Sequence, residues 1–309
     1  MKKLLALLIS GSMIFAAACA TVDRNEDLDN AFDQALINAA ELLADYGEGP
    51  IGADEFYELL GMNPEDFVAI AMENTNAVAE ESYVMEVDII MSMDMFGVPL
   101  MDMVISMILQ YATDEDGEVL GFVIETLALG EAMGEIIEEE YSFSFYRDGF
   151  FYTYAYGELT REEMSFEEAL GIDGVDIDLL TANFEELFED LEDAFELTGF
   201  YLIDEGVVIY FELSGEAINI LFGELLGDDA FGELFGDADE LGDIADSLDF
   251  EETYGSLLVD FDGYLRAMVI GTSFQMDIPD VPGFSMGIGM TIVIDYTQLG
   301  GVEIVFPID

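Results

Sequence analysis

From Tyr83 to Tyr111, apart from a turn at Gly97–Pro99, every odd-numbered residue is apolar. On the first arm these are Tyr83, Met85, Val87, Ile89, Met91, Met93 and Met95. On the second they are Met101, Met103, Ile105, Met107, Leu109 and Tyr111. Between the first set stand Ser82, Glu86, Asp88, Ser92 and Asp94, with only Val84 and Ile90 breaking the polar side. A period of two held this long dictates β-strand, with one face against a core or cavity and the other toward water. Arms of about 14 residues exceed the usual five or six, so the sheet is expected to be large and curved.

The rest of the chain supplies more strands than helices. Leu28–Asp45 has apolar residues at helical spacing, and Glu55–Leu60 suits one or two further turns. Asn63 is an N-cap and Pro64 a first helical residue for a helix running to about Glu80. After the long hairpin, Glu118–Leu129 is apolar on both faces and reads as a central strand, while Glu131–Glu140 suits helix or strand equally. Asp148-Gly149 turns between two aromatic strands. Thr160–Asp178 reads as loop with a short helix near Phe166–Leu170. Thr181 caps a helix ending at Gly199, with Phe184, Leu187, Phe188, Leu191, Ala194 and Phe195 on one side. Phe200–Ile203 with Val207–Leu213, Thr253–Phe261 with Tyr264–Ile278, then Phe284–Thr297 and Val302–Phe306, complete the strands. Short connections require antiparallel neighbours. The expected class is α+β: one curved antiparallel meander of ten or eleven strands, with helices before and between them.

Residues 215–248 differ, being glycine-punctuated, acidic and apolar together, with Phe222-Gly-Glu-Leu-Leu-Gly-Asp nearly repeated from Phe231. Short amphipathic helices are expected there, and Phe222, Leu225, Leu226, Phe231, Leu234 and Phe235 are the candidate lid.

At the other end, Lys2 and Lys3 precede an apolar run, Leu4–Ala18, too short for a comfortable membrane span and closed by small residues. Cys19, the single cysteine, follows directly. The layout resembles a bacterial lipobox. That resemblance implies lipidation at Cys19 and a diacylglyceryl anchor on an extracytoplasmic membrane surface. An ordinary signal cut after Ala18 or Ala20, with an incidental cysteine, fits the same residues. Division of the chain then runs 1–19 signal and anchor, 20–62 tether and N-terminal helix, and 63–309 sheet domain with its insertion at 215–248.

Once Lys2 and Lys3 leave, four arginines face 69 acidic residues, a formal charge of −65. Nothing neutralises phosphates, so nucleic acid is excluded as a partner. With 52% of residues hydrophobic and 12% aromatic, a core still forms. A compact domain of this size exposes about 12,000 Å², which sets carboxylates roughly 13 Å apart, slightly beyond the ~8 Å screening length at physiological salt. Adaptation to a saline or alkaline medium explains this better than calcium storage.

The chain has no histidine or tryptophan, and after the signal no lysine and no cysteine beyond Cys19. That removes histidine-based triads, Schiff-base lysines and imidazole metal sites. Paired carboxylates remain, but among 69 acids a pair carries no information. No catalytic residue, metal ligand or cofactor is assigned. Asp114–Gly117 and Asp173–Asp178 are acidic turns without EF-hand spacing. Met91, Met93, Met95, Met101 and Met103 put five thioethers on one face. Thioethers suit Cu(I), but without histidine or cysteine a pliable apolar lining is favoured.

A lipobox, a helix leading into a Met/Val-rich hairpin, aromatic strands around an Asp-Gly turn, an inserted segment and a closing Gly301-Val-Glu-Ile-Val-Phe-Pro307 together resemble the LolA/LppX-like lipoproteins over roughly residues 63–309. The resemblance implies a half-barrel wrapped around helices, with an apolar cavity carrying lipids or acyl chains. The acidity and the helix at 28–45 are additions to that layout. The residues expected to line the cavity are Met85, Val87, Ile89, Met91, Met93, Met103, Ile105 and Met107. The expected protein is a non-enzymatic monomer binding a lipid or other apolar molecule. The alternative is a structural or partner-binding envelope lipoprotein whose apolar face is core.

Overall fold

The computed structural model describes residues 26–79, 81–95, 98–113, 119–132, 135–166, 169, 195–213, 248–277 and 285–307. Three helices come first: α1 (Glu26–Tyr46), α2 (Ala53–Leu60) and α3 (Pro64–Ala79). A three-residue strand, β1 (Gly49–Ile51), lies between α1 and α2. The strands then follow without interruption by a long helix among the described residues. They are β2 (Ser82–Met95), β3 (Val98–Thr113), β4 (Val119–Ala132), β5 (Glu135–Arg147), β6 (Phe150–Ala155) and β7 (Glu158–Glu163). After these come β8 (Phe195–Ile203), β9 (Gly206–Leu213), β10 (Leu248–Asp260), β11 (Leu265–Asp277) and β12 (Ser285–Leu299).

All twelve belong to one antiparallel sheet, ordered β1-β8-β9-β10-β11-β12-β2-β3-β4-β5-β6-β7, and β1 and β7 are not paired with each other. The expected class holds, an open antiparallel sheet with helices, at twelve strands rather than ten or eleven. It is two meanders rather than one: β2–β7 and β8–β12 are joined where β12 pairs with β2. Both edges discourage further pairing. β1 is short and contains Pro50, and β7 (Glu-Leu-Thr-Arg-Glu-Glu) is fully exposed and charged.

Several segments depart from expectation. Phe195–Thr198, placed at the end of a helix, opens β8 instead, where Phe195 and Leu197 pair with Leu213 and Phe211 of β9. Glu158–Glu163, read partly as loop, pairs with β6. Glu135–Glu140 resolves as strand. Val302–Phe306 makes no ladder: Val302 N–H donates to Ser82 Oγ and Val305 N–H to Gln110 Oε1. Phe306 then covers Gly121, where a Cβ would stand 3.1 Å from its ring, and packs 5.6 Å from Phe145. The tail is thus a strap laid across β2 to β5. Cys19, the helix expected over 181–194, the segment 215–247 and the turns Asp114–Gly117 and Asp173–Asp178 lie outside the described residues.

The helices and one face of the sheet share a core. Phe32 of α1, Phe67 of α3, Phe56 of α2 and Phe200 of β8 form a relay with ring centroids 5.1, 5.6 and 4.0 Å apart. Full burial of each ring is worth roughly 1.5–3 kcal/mol. Polar pins fix α3 to the β10–β11 turn: Asn74 Nδ2 donates to Gly263 O, and Leu265 N–H donates to Thr75 Oγ1. Gly263, with φ +84°, sits so close under Phe32 that a Cβ would meet the ring at 2.8 Å. On the opposite face a second, smaller core joins Val123, Phe143 and Phe145 to Tyr152, Tyr154, Ile304 and Phe306.

At the helix end of β2, Tyr83 stands between Tyr111 (5.4 Å) and Tyr296 (6.1 Å). Burial, then the neighbouring Tyr296 and Tyr111 phenols, hold its pKa well above the ordinary 10.0. The unfolded chain releases this proton near pH 10 while the folded chain keeps it. The folded state therefore binds more protons there, and stability falls as pH rises above that value. Urea unfolding from about pH 9 to about pH 11.5 should show a steeper loss for the wild type than for Tyr83→Phe. Equal slopes would refute the assignment.

Candidate functional site

Ladder register turns the period-two pattern into rows across the sheet. On the helix-bearing face one row reads Ile270, Ile292, Ile89, Ile105 on β11, β12, β2 and β3. The next reads Thr272, Met290, Met91, Met103, and the one beyond Phe274, Ile288, Met93, Met101. None of the twelve positions is charged. The acids fall on the other face, where Asp88 accepts a hydrogen bond from Ser106 and Asp94 lies against Gly287. Gly287 and Gly289 carry no side chain of their own there, which leaves room for Asp94 and Ser92.

All eight residues expected to line a cavity lie on this helix-bearing face, and burial divides them. Met85, Val87, Ile89 and Met107 are 2–6% exposed and belong to the core cluster that includes Phe67, Ile70 and Ala71 of α3. Met91, Met93, Met103 and Ile105 are only half-buried. With Met95, Met101 and Met290 they form the far end of the same face, where six methionines on three adjacent strands are partly open. The lid residues Phe222, Leu225, Leu226, Phe231, Leu234 and Phe235 lie outside the described residues.

Sequence reasoning missed the contribution of β12. Met290 and Ile292 belong to a strand with the same alternation, but nothing local says that it lies beside β2. A row of thioethers on directly opposed positions, with Cβ atoms about 4.5–5.5 Å apart, makes a continuous surface that changes shape by rotating single bonds. Apolar matter suits it, and charged matter does not.

A second feature lies on the outer face of β8–β10, a shallow depression of about 290 Å³ lined by Tyr210, Glu212, Tyr254, Thr198 and Gly199 among others. Among the described residues no group of histidine, cysteine or carboxylate side chains is arranged to hold a metal ion, and no helix is long and apolar enough to cross a membrane.

No family model matches the chain, and no curated protein matches it. Among solved structures it is similar to LprF from Mycobacterium bovis, at 11% identity and a TM-score of 0.28 over 77% of this chain and 95% of that one. A beta-barrel-like protein of a domain of unknown function from Brucella abortus matches at 11% identity and 0.18, over 71% and 99%. A LolA superfamily protein from Nitrosomonas europaea matches at 8% and 0.19, over 75% and 92%. The last carries the superfamily name that the sequence layout resembles. No function passes to this chain from matches at such identity.

The burial division is open to direct measurement. Dilute hydrogen peroxide, followed by peptide mass spectrometry, should convert Met91, Met93, Met101, Met103 and Met290 to sulfoxide well before Met85, Met107 and Met268. In denaturant the difference should vanish. Uniform oxidation of the folded chain would show that the far end is as closed as the core.

Proposed function

We propose that this chain is a membrane-tethered, extracytoplasmic lipoprotein, anchored through Cys19, that holds a lipid or another apolar molecule on the methionine end of its sheet and catalyses nothing. The observation that carries this reading is the three uncharged rows on β11, β12, β2 and β3, in which Met91, Met93, Met101, Met103 and Met290 stay half-buried. A sheet face used only as core would be closed along its length, as it is from Met85 to Ile89. Methionine is also the side chain that accommodates ligands of varying outline. On this reading residues 63–309 form one half-barrel domain, and Phe222, Leu225, Leu226, Phe231, Leu234 and Phe235 of the 215–248 insertion supply a lid. The anchor and the acidity act together. A carboxylate-rich protein has no electrostatic attraction to anionic headgroups, so covalent acyl chains are what keep it at the membrane.

Two measurements test the two halves of the proposal. Labelled palmitate should enter the wild type and not Cys19→Ala. The unacylated Cys19→Ala chain should take up a fluorescent fatty acid. Met93→Asp should weaken that uptake about tenfold or more, because a carboxylate in the apolar lining must be desolvated. Glu86→Gln, on the outer face, should leave it unchanged. A well-folded chain that takes up no apolar probe would make the face core and the protein a structural or partner-binding lipoprotein.

A further inference from the structure

Each thioether of the methionine rows is a point of oxidation as well as an apolar lining. Beyond Cys19 the chain has no cysteine, and it has no tryptophan or histidine. A peroxide reaching the folded protein therefore meets methionine as the side chain it attacks most readily. Register concentrates these sulfurs. Met91 on β2 is directly opposed by Met290 on β12 and by Met103 on β3, and Met93 is opposed by Met101 in the next row. Directly opposed Cβ atoms stand about 4.5–5.5 Å apart, so the five thioethers are near neighbours on one face. All five are half-buried. Met62, Met72, Met85, Met107 and Met268 are instead only 3–6% exposed and belong to the core cluster.

The same division decides what oxidation does. Hydrogen peroxide passes one oxygen atom to a sulfur: the O–O bond breaks, an S–O bond forms, the sulfur gives up two electrons and water leaves. The product is a polar, chiral side chain in place of a flexible apolar one. Of the twelve positions in the three rows only Thr272 carries a hydrogen-bonding side chain, and it is buried against Thr253, whose hydroxyl donates to it at 2.7 Å. A sulfoxide oxygen on Met91 or Met103 finds no side-chain donor beside it in these rows and must be met by water, which an apolar molecule lying there excludes. The buried methionines keep their thioethers, so the packing of the helices on the sheet survives. We infer, on the reading of this face as an apolar binding surface, that Met91, Met103 and Met290, with Met93 and Met101 beside them, form a reversible oxidation site. Their conversion to sulfoxide by a peroxide releases the bound apolar molecule.

The test uses the unacylated Cys19→Ala chain, which carries no thiol, with a fluorescent fatty acid as probe. Hydrogen peroxide is added until peptide mass spectrometry shows the five open methionines oxidised and Met85, Met107 and Met268 intact. Uptake should then weaken about tenfold or more, with circular dichroism and the urea midpoint little changed. Methionine sulfoxide reductases A and B, one for each epimer, should restore it. When Met91, Met93, Met101, Met103 and Met290 are all replaced by Leu, the ratio of uptake before and after peroxide should fall to about twofold or less, since leucine has no sulfur to oxidise. Met164→Leu, which removes a half-buried methionine outside the rows, should keep the wild-type ratio. Should the quintuple variant fold poorly, reversal by the reductases decides. Undiminished uptake by the oxidised chain overturns the inference and leaves the binding reading standing. A loss that the quintuple variant shares in full, or that the reductases do not reverse, overturns it in the same way. Absence of uptake before any peroxide is added overturns both.

Discussion

The ladder between β12 and β2 is the contact on which this architecture rests. Thirteen residue pairs join strands about two hundred residues apart, from Met286 with Met95 to Leu299 with Tyr83. Every other neighbour relation among the long strands joins strands that follow one another in the chain, within one of the two meanders. Without the β12–β2 ladder the chain would be two separate sheets, each with a long, apolar, unprotected edge. With it, the free edges among the described residues are β1 and β7, which are respectively very short and heavily charged. Closing so long a loop is slow, because its entropy must be lost before the contacts form. The C-terminal strap reinforces the junction. Gly300 N–H donates to Ser82 O and Val302 N–H to Ser82 Oγ, so the chain leaving β12 is tied at once to the start of β2.

Much of this was legible in the residues. Alternation located nearly every strand, and Asn63-Pro64 located the start of α3. The apolar side of β2 and β3 was assigned to the helix-bearing face, which is where it lies. What local pattern could not supply was partnership. Phe195 continues a helical spacing and a strand alternation equally well, and only its ladder pairing with β9 decides between them. Val302-Glu-Ile-Val-Phe has the alternation of a strand but no free edge to pair with, so side-chain acceptors Ser82 Oγ and Gln110 Oε1 take its N–H groups instead. The candidate site was half legible for the same reason. Five of its methionines lie in one hairpin, whereas Met290 joins them only through the long-range ladder.

Charge imposes the other large constraint. Acids stand at many of the outward positions, even opposite one another, as Glu86 with Asp295 across the β12–β2 ladder. Like charges so placed are destabilising and are relieved by salt. Few cations exist to offset them. Arg266 pairs with Asp260, whose other oxygen accepts the N–H groups of Asp262 and Tyr264, so that one ion pair shapes the β10–β11 turn. Arg147 and Arg161 pack on rings near the β7 edge. The rare positive charges thus serve structure locally, and the remaining field is uniformly negative.

That field sharpens the contrast between the two faces of the sheet. Outward, carboxylates such as Glu86, Asp88 and Asp295 keep much of the sheet hydrated, although the exposed row Ile90, Val104, Leu129 carries none. On the helix-bearing face, the central rows contain no charge at all, and along β2 the buried Met85, Val87 and Ile89 give way to the half-buried Met91, Met93 and Met95. A β-branched or aromatic lining at that open end would be stiffer and would set one cavity shape. Methionine at that end keeps the face pliable, able to change shape by rotating single bonds.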